Sequence, residues 1–297
     1  MNDLGFTAPI EDAVLPSVAR FRQSLKEPIS AHGKGVHSGR ACSVEICPAA
    51  PGTGIRFQRT DLPGAPIVPA TYDFLAAEEL DRRTTLKTPD ASAHTIEHVL
   101  SALAGCGIDD ALVKLDGPEP PIMDGSSLEF VRGITDANII TSDIPAEPIV
   151  IDRPLSFLYE QAEISVIPSP DFQVSFFYNS DHPNLQEQSY TTVINPEIYR
   201  TQIAPARTFC FFEEIEALYK AGLIKGASLA CAVVIGRKGI INDSLRFPDE
   251  PVRHKILDLI GDIALLGRPI QGHILAWRAG HKVNAAFGMY LKKELNL

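Results

Sequence analysis

The apolar positions of this chain follow two rhythms. Between residues 249 and 266 they recur with helical spacing: at about 100° per residue, Val252, Ile256, Leu259 and Ile263 form one stripe, and His254, Asp258 and Asp262 line up on the far side. Asp249 suits an N-cap and Pro251 a first helical turn, which sets where the helix starts. Leu257, Ala264 and Leu265 carry apolar character around most of its girth, as expected of a helix buried between layers. Its acidic side then needs partners. A solvated face would show the same three polar residues, so both readings stand at this point.

A second helical stretch, 95–104, buries Ile96, Val99 and Leu103 and is stopped by Gly105 and Gly107. Glu97 and His98 sit side by side off that stripe. Residues 126–138, 212–221 and 285–295 give further helices. The other rhythm, alternation with period two, marks strands at 42–47, 54–59, 67–72, near 83–87 and at 110–116. In the second half strands follow at 163–167, 172–178, 189–194, 231–235 and 273–277, with a turn at 280–284. Sheet precedes helix in both halves, so the expected class is α+β, with strands on one side of each half and two helices on the other. Residues 141–148, with two prolines and little periodicity, read as a linker. The expected division is a loose leader over 1–20, an N-terminal domain over 21–144 and a C-terminal domain over 149–297.

Composition agrees with two domains, since 297 residues exceed the usual size of one core. With 45% hydrophobic and 22% charged residues the protein is an ordinary soluble one. A formal charge of −10, with basic residues scattered, gives no sign of a polynucleotide footprint, and an anionic ligand must be met by local Lys and Arg. The five cysteines are odd in number and none has CxxC spacing, which points to a reducing compartment rather than a disulfide framework or a cysteine zinc site. Asp3, Glu11 and Asp12 argue against a secretory signal, and no run of about 18 apolar residues spans a membrane.

Candidate chemistry comes from a few segments. The glycine-rich stretch at 28–39 lacks the Lys-Ser/Thr ending of a phosphate loop and reads as a tight hairpin, with His32 and His37 structural. The loop at 117–125 holds three prolines and is rigid enough to hold something in place. An imidazole and a carboxylate at i and i+4, as in His254 and Asp258, can share one ion. Zinc commonly takes three protein ligands and leaves a position to water. His98 stands out as a third because Glu97 beside it would be a carboxylate free to take a proton. There is no HExxH, so such a site would be assembled from two domains.

Six segments occur in one order: Lys34-Gly-Val-His-Ser-Gly39, Thr95-Ile-Glu-His98, Pro121-Ile-Met-Asp-Gly125, Pro205-Ala-Arg-Thr-Phe209, Val252-Arg-His-Lys-Ile-Leu-Asp258 and Gly280-His-Lys-Val-Asn284. Together they resemble the UDP-3-O-acyl-N-acetylglucosamine deacetylases, zinc amidases of lipid A biosynthesis, from about residue 25 to about 290. The resemblance implies two similar α+β domains, each a mostly antiparallel sheet carrying two helices, with the helices of the two domains facing each other. It implies one catalytic zinc ion held by His98, His254 and Asp258, Glu97 as general base, and Thr208 as a donor to the oxyanion. His281 matches the family's second catalytic histidine, with Asp262 its expected partner. Lys255 matches an active-site lysine, although an ion pair with Asp262 on the same helical face is an alternative.

An insert near 209–230 would form the passage for the substrate's acyl chain, lined by Phe209, Phe211, Ala227 and Ser228. Cys210 and Ala227 stand where glycine is usual and Ala230 where an acidic residue is frequent, which leaves the acyl length open. The substrate implied is an acylated UDP-amino-sugar and the setting the cytoplasm of a Gram-negative bacterium, with a monomer expected. Two other readings compete: a zinc amidase for another N-acetylated sugar, and a protein in which zinc only ties the halves together.

Overall fold

A computed structural model describes residues 20–242 and 244–297. The expected leader lies outside the described residues except for Arg20. The described residues begin with β1 (Arg20–Leu25), then β2 (Ile29–Lys34), β3 (Ala41–Pro48), β4 (Ile55–Arg59), β5 (Ile67–Pro69), β6 (Thr85–Lys87) and β7 (Ser92–His94). Helix α1 (Glu97–Gly105), β8 (Ala111–Leu115), α2 (Leu128–Asp136) and β9 (Ile139–Ala146) complete the first half. Its main sheet has the order β2-β3-β8-β4-β5, antiparallel except where β4 meets β8. Alternate residues Val44, Ile46, Val113 and Leu115 point into the core, where α1 and α2 cover the sheet.

The second half contains β10 (Ile149–Val150), β11 (Leu155–Tyr159), β12 (Ala162–Ile167), β13 (Phe172–His182), β14 (Leu185–Val193) and the single turn α3 (Pro196–Ile198). The insert follows as β15 (Phe209–Phe211), α4 (Ile215–Lys220), β16 (Val233–Gly236) and β17 (Gly239–Ile240). The chain closes with α5 (Glu250–Ile263), β18 (Ile270–Trp277) and α6 (His281–Glu294). The larger sheet runs β11-β12-β18-β13-β14, with β13 and β18 parallel, and Val166 lies opposite Ile274 in the buried register. The fold is therefore two α+β domains whose helices meet in the middle.

The closest meeting is between α1 and α5. A Cβ on Gly261 would come within 2.1 Å of the Glu97 carbonyl oxygen, so only glycine lets the two backbones approach this far. Helix α5 is buried along nearly its whole length, His254, Asp258 and Asp262 included, which removes the solvated-face reading of its polar side.

Several elements differ from the sequence expectation, short strands such as β1, β7 and β10 among them. Residues 139–146 are a strand, antiparallel to β1, instead of a linker. The strand is missed because Ile139, Ile140 and Ile144 are all exposed on a two-stranded ribbon, so no alternation records its pairing. Strand β11 adds an unforeseen edge beside β12. His281 opens α6 directly after an extended Gly280, rather than lying in a turn before the helix. Among the described residues, no helix is long and apolar enough to cross a membrane.

Candidate active site

The ligand-like residues converge where α1 meets α5. His98 is the second residue of α1, and His254 and Asp258 lie one turn apart on α5. One donor atom from each falls within 4.8 Å of the others. His254 Nε2 is 3.3 Å from Asp258 Oδ1 and His98 Nε2 is 3.8 Å from the same oxygen, with the two imidazoles edge to face at a centroid distance of 5.1 Å. His254 Nδ1 lies 3.0 Å from the Ala206 carbonyl, which can only accept, so Nδ1 carries a proton and Nε2 is the nitrogen turned towards Asp258. Burial pushes the His98 imidazole down to about 3, and the neighbouring His254 adds to this, so the ring is neutral. Two imidazole nitrogens and one carboxylate oxygen converging in a buried place form the donor set that zinc takes. The residues present fit such an ion.

Burial opposes ionisation of Asp258, but Lys255, His254 and His281 overcome it and hold the carboxyl well below its usual range. Lys255 Nζ sits 2.9 Å from Asp258 Oδ2. Lys255 thus pairs with Asp258, three residues along the helix, and not with Asp262 as in the alternative reading. Burial of the Lys255 ammonium works against its charge, and Asp258 more than restores it.

Glu97, the first residue of α1, is 2% exposed. Burial raises its carboxyl to about 7, with Asp262 adding and His281 and the Thr84 N–H opposing. Across from it, His281 Nδ1 lies 2.9 Å from Asp262 Oδ2, the pairing expected from sequence. Burial lowers the His281 imidazole, but Asp262 and then Asp258 override it and carry the group up to about 10, so the ring is charged at neutral pH. A carboxyl and an imidazole with widely separated affinities for protons thus line the same cavity as His98, His254 and Asp258.

Thr208 is fixed by its backbone. Its N–H donates to the Gly125 carbonyl at 2.8 Å and its carbonyl accepts from the Val233 N–H at 2.8 Å, so the segment runs clamped between the 121–125 loop and β16. Arg207 beside it is buried against Glu250, with Nε 2.8 Å from Oε1. Sequence reading gave this pair no role, since nothing in its spacing marks a contact 43 residues apart.

A cavity of about 840 Å³ opens from this cluster. Glu97, His98, Thr208, His254, Asp258 and His281 line one end, and Phe209, Ile215, Leu218 and Tyr219 extend an apolar wall along the insert. Cys210, Ala227 and Ser228 also face it. Phe211 does not line it: its ring stacks on His182 at 4.5 Å and meets Phe209 edge to face at 6.3 Å. The glycine-rich stretch does form a hairpin, β2 to β3. His32 is exposed, while His37 is buried beside the cavity and its Nδ1 accepts from the Ile224 N–H at 3.4 Å. The three-proline loop proves to hold Glu119, whose buried carboxylate accepts from Ser38 N at 2.6 Å and Thr95 Oγ1 at 3.0 Å.

The profile of the UDP-3-O-acyl N-acetylglycosamine deacetylases matches residues 22–293. The chain belongs to this family. Relatives named UDP-3-O-acyl-N-acetylglucosamine deacetylase include one from Synechocystis sp., 42% identical over 265 residues that cover 88% of this chain and 95% of the relative. Another, from Myxococcus xanthus, is 40% identical over 264 residues, covering 89% and 83%. A third, from Thermosynechococcus vestitus, is 38% identical over 279 residues, covering 94% and 96%. The deacetylase resemblance read from six short segments therefore extends over nearly the whole described chain.

Proposed function

We propose that this protein hydrolyses the N-acetyl group of UDP-3-O-(3-hydroxyacyl)-N-acetylglucosamine, releasing acetate and the free amine, as the committed step of lipid A biosynthesis. The observation that carries the proposal is that Glu97 and His281 line the same cavity as the His98, His254 and Asp258 cluster, together with the apolar side chains of the insert. Zinc bound by those three residues would supply a Lewis acid and lower the pKa of water to about 7.

The remaining chemistry belongs to the chain. Glu97, with its carboxyl at about 7, takes a proton from the attacking water near neutral pH. As the new carbon–oxygen bond forms, the carbonyl electrons move onto oxygen, and the Thr208 hydroxyl at the cavity wall is the donor available to that charge. When the carbon–nitrogen bond breaks, its electrons return to nitrogen, and charged His281 gives that nitrogen a proton. Asp262 holds the His281 ring, and Lys255 keeps Asp258 ionised. Phe209, Ala227 and Ser228 form the wall along which the acyl chain lies, and the insert near 209–230 is the element that supplies it. The five cysteines are all free, in keeping with a reducing cytoplasm, and we take the working unit to be a monomer.

Metal content measured together with acetate release from the acylated UDP-sugar, with and without a chelator, tests this reading. Turnover is expected to vanish on chelation and to return with zinc. Glu97→Ala is expected to retain zinc and lose about 10²–10⁴-fold in kcat. Undiminished turnover in that variant with zinc still bound would remove Glu97 from its role and favour a purely structural ion.

A further inference from the structure

Thr84 lies in the loop leading into β6 and is fully buried. Two hydrogen bonds leave it in different directions. Its backbone N–H donates to Glu97 Oε2 at 2.9 Å, and its hydroxyl donates to Asp262 Oδ1 at 2.5 Å. The second oxygen of Asp262 accepts from His281 Nδ1 at 2.9 Å and from Asn284 Nδ2 at 2.8 Å. One residue of the N-terminal domain therefore touches the carboxylate on α1 and the carboxylate on α5 that holds the histidine on α6.

We propose that Thr84 is a positioning residue that fixes the general base and the general acid in one frame. Its N–H aims the Glu97 carboxylate, and its hydroxyl sets the rotation of the Asp262 carboxylate and, through it, the direction of the His281 ring. The proposal rests on the deacetylase reading above. A carboxylate held by donors on one oxygen alone can still turn about its Cβ–Cγ bond. A donor on the other oxygen removes that freedom, and a ring hydrogen-bonded to the carboxylate loses it as well. Thr84 and Asp262 are both 0% exposed, so water has no direct route to replace a deleted hydroxyl. The sequence offered no hint of this, because a threonine before a short strand is ordinary β chemistry.

Thr84→Val deletes the hydroxyl and keeps both the shape and the backbone N–H. We expect its kcat to fall about 10–100-fold, with KM and zinc content near those of the parent. Thr84→Ser keeps the donor and is expected to stay within about threefold of the parent, as in a site where the hydroxyl and not the methyl matters. In a His281→Ala background the same Thr84→Val change is expected to cost less than about twofold, since a residue acting through His281 has nothing left to position. A readout independent of turnover is the NMR resonance of the His281 Nδ1 proton, expected to shift and broaden in the Val variant and to stay in place in the Ser variant. Parent-like kcat in Thr84→Val, an equal loss in Thr84→Ser, full additivity with His281→Ala, or an unmoved proton resonance each overturns the proposal. If Thr84→Val does not fold, Thr84→Ala makes the same deletion with less bulk. A parent protein that releases no acetate would overturn the deacetylase reading instead, and the NMR comparison would still judge the role of Thr84.

Discussion

Asp258 meets two demands at once: one oxygen faces two imidazole nitrogens, and the other accepts the Lys255 ammonium. Asp258→Asn keeps the size but halves the acceptors and removes the charge. It is expected to purify with less than about a tenth of the parent's zinc, measured by elemental analysis, because neutral oxygen donors hold zinc poorly. A second buried carboxylate, Asp110, shows the same physics away from the site. Burial opposes its charge, yet the Arg22 guanidinium and the Gly54 N–H hold its carboxyl below the usual range. Because the folded value is the lower one, this contribution is complete above the unfolded carboxylate value of about 3.9 and is lost as pH falls through the folded value. Asp110→Asn turns an amide donor towards Arg22 and is expected to cost on the order of 3 kcal/mol at neutral pH. Urea unfolding at a series of pH values should show that cost shrinking below about pH 4.

At the scale of elements, the site depends on the α1–α5 crossing. His98 arrives on α1, and His254 and Asp258 arrive on α5, so their spacing is the spacing of two helix backbones. Gly261 sets that spacing, one turn beyond Asp258 and directly against the Glu97 carbonyl. Gly261→Ala is expected to push α1 away and to cost about 1–3 kcal/mol by overpacking, even though alanine is the better helix former. Calorimetry should record a lower Tm, and zinc affinity should fall in the same variant because His98 moves with its helix. Helical periodicity made both helices visible in the sequence, and i, i+4 spacing placed His254 with Asp258. Neither pattern carries the contact between α1 and α5, and a helical wheel left Asp262 open as a Lys255 partner because it does not say which same-face carboxylate a long side chain reaches.

Across the whole molecule, two domains supply opposite walls of one cavity, and the insert around β15, α4 and β16 closes its apolar side. Ala227 presents its side chain to that cavity where the family resemblance leads one to expect glycine. Ala227→Gly returns the volume of a methyl group. It is expected to raise kcat/KM for longer acyl chains relative to shorter ones by on the order of tenfold, measured with a series of UDP-sugars differing in acyl length; an unchanged ranking would separate Ala227 from acyl selection. The sequence by itself determined the α+β class, the main helices and most of the long strands, because burial on one face imposes a period that local residues must obey. It also determined the family, because the chemistry constrains residue types within short ordered segments. Only the tertiary structure decided that the 139–146 segment pairs with β1, that Phe211 stacks on His182, and that Thr84 joins Glu97 to Asp262. Those facts are pairings between residues far apart in the chain, and no local period records which distant backbone or side chain completes a hydrogen bond.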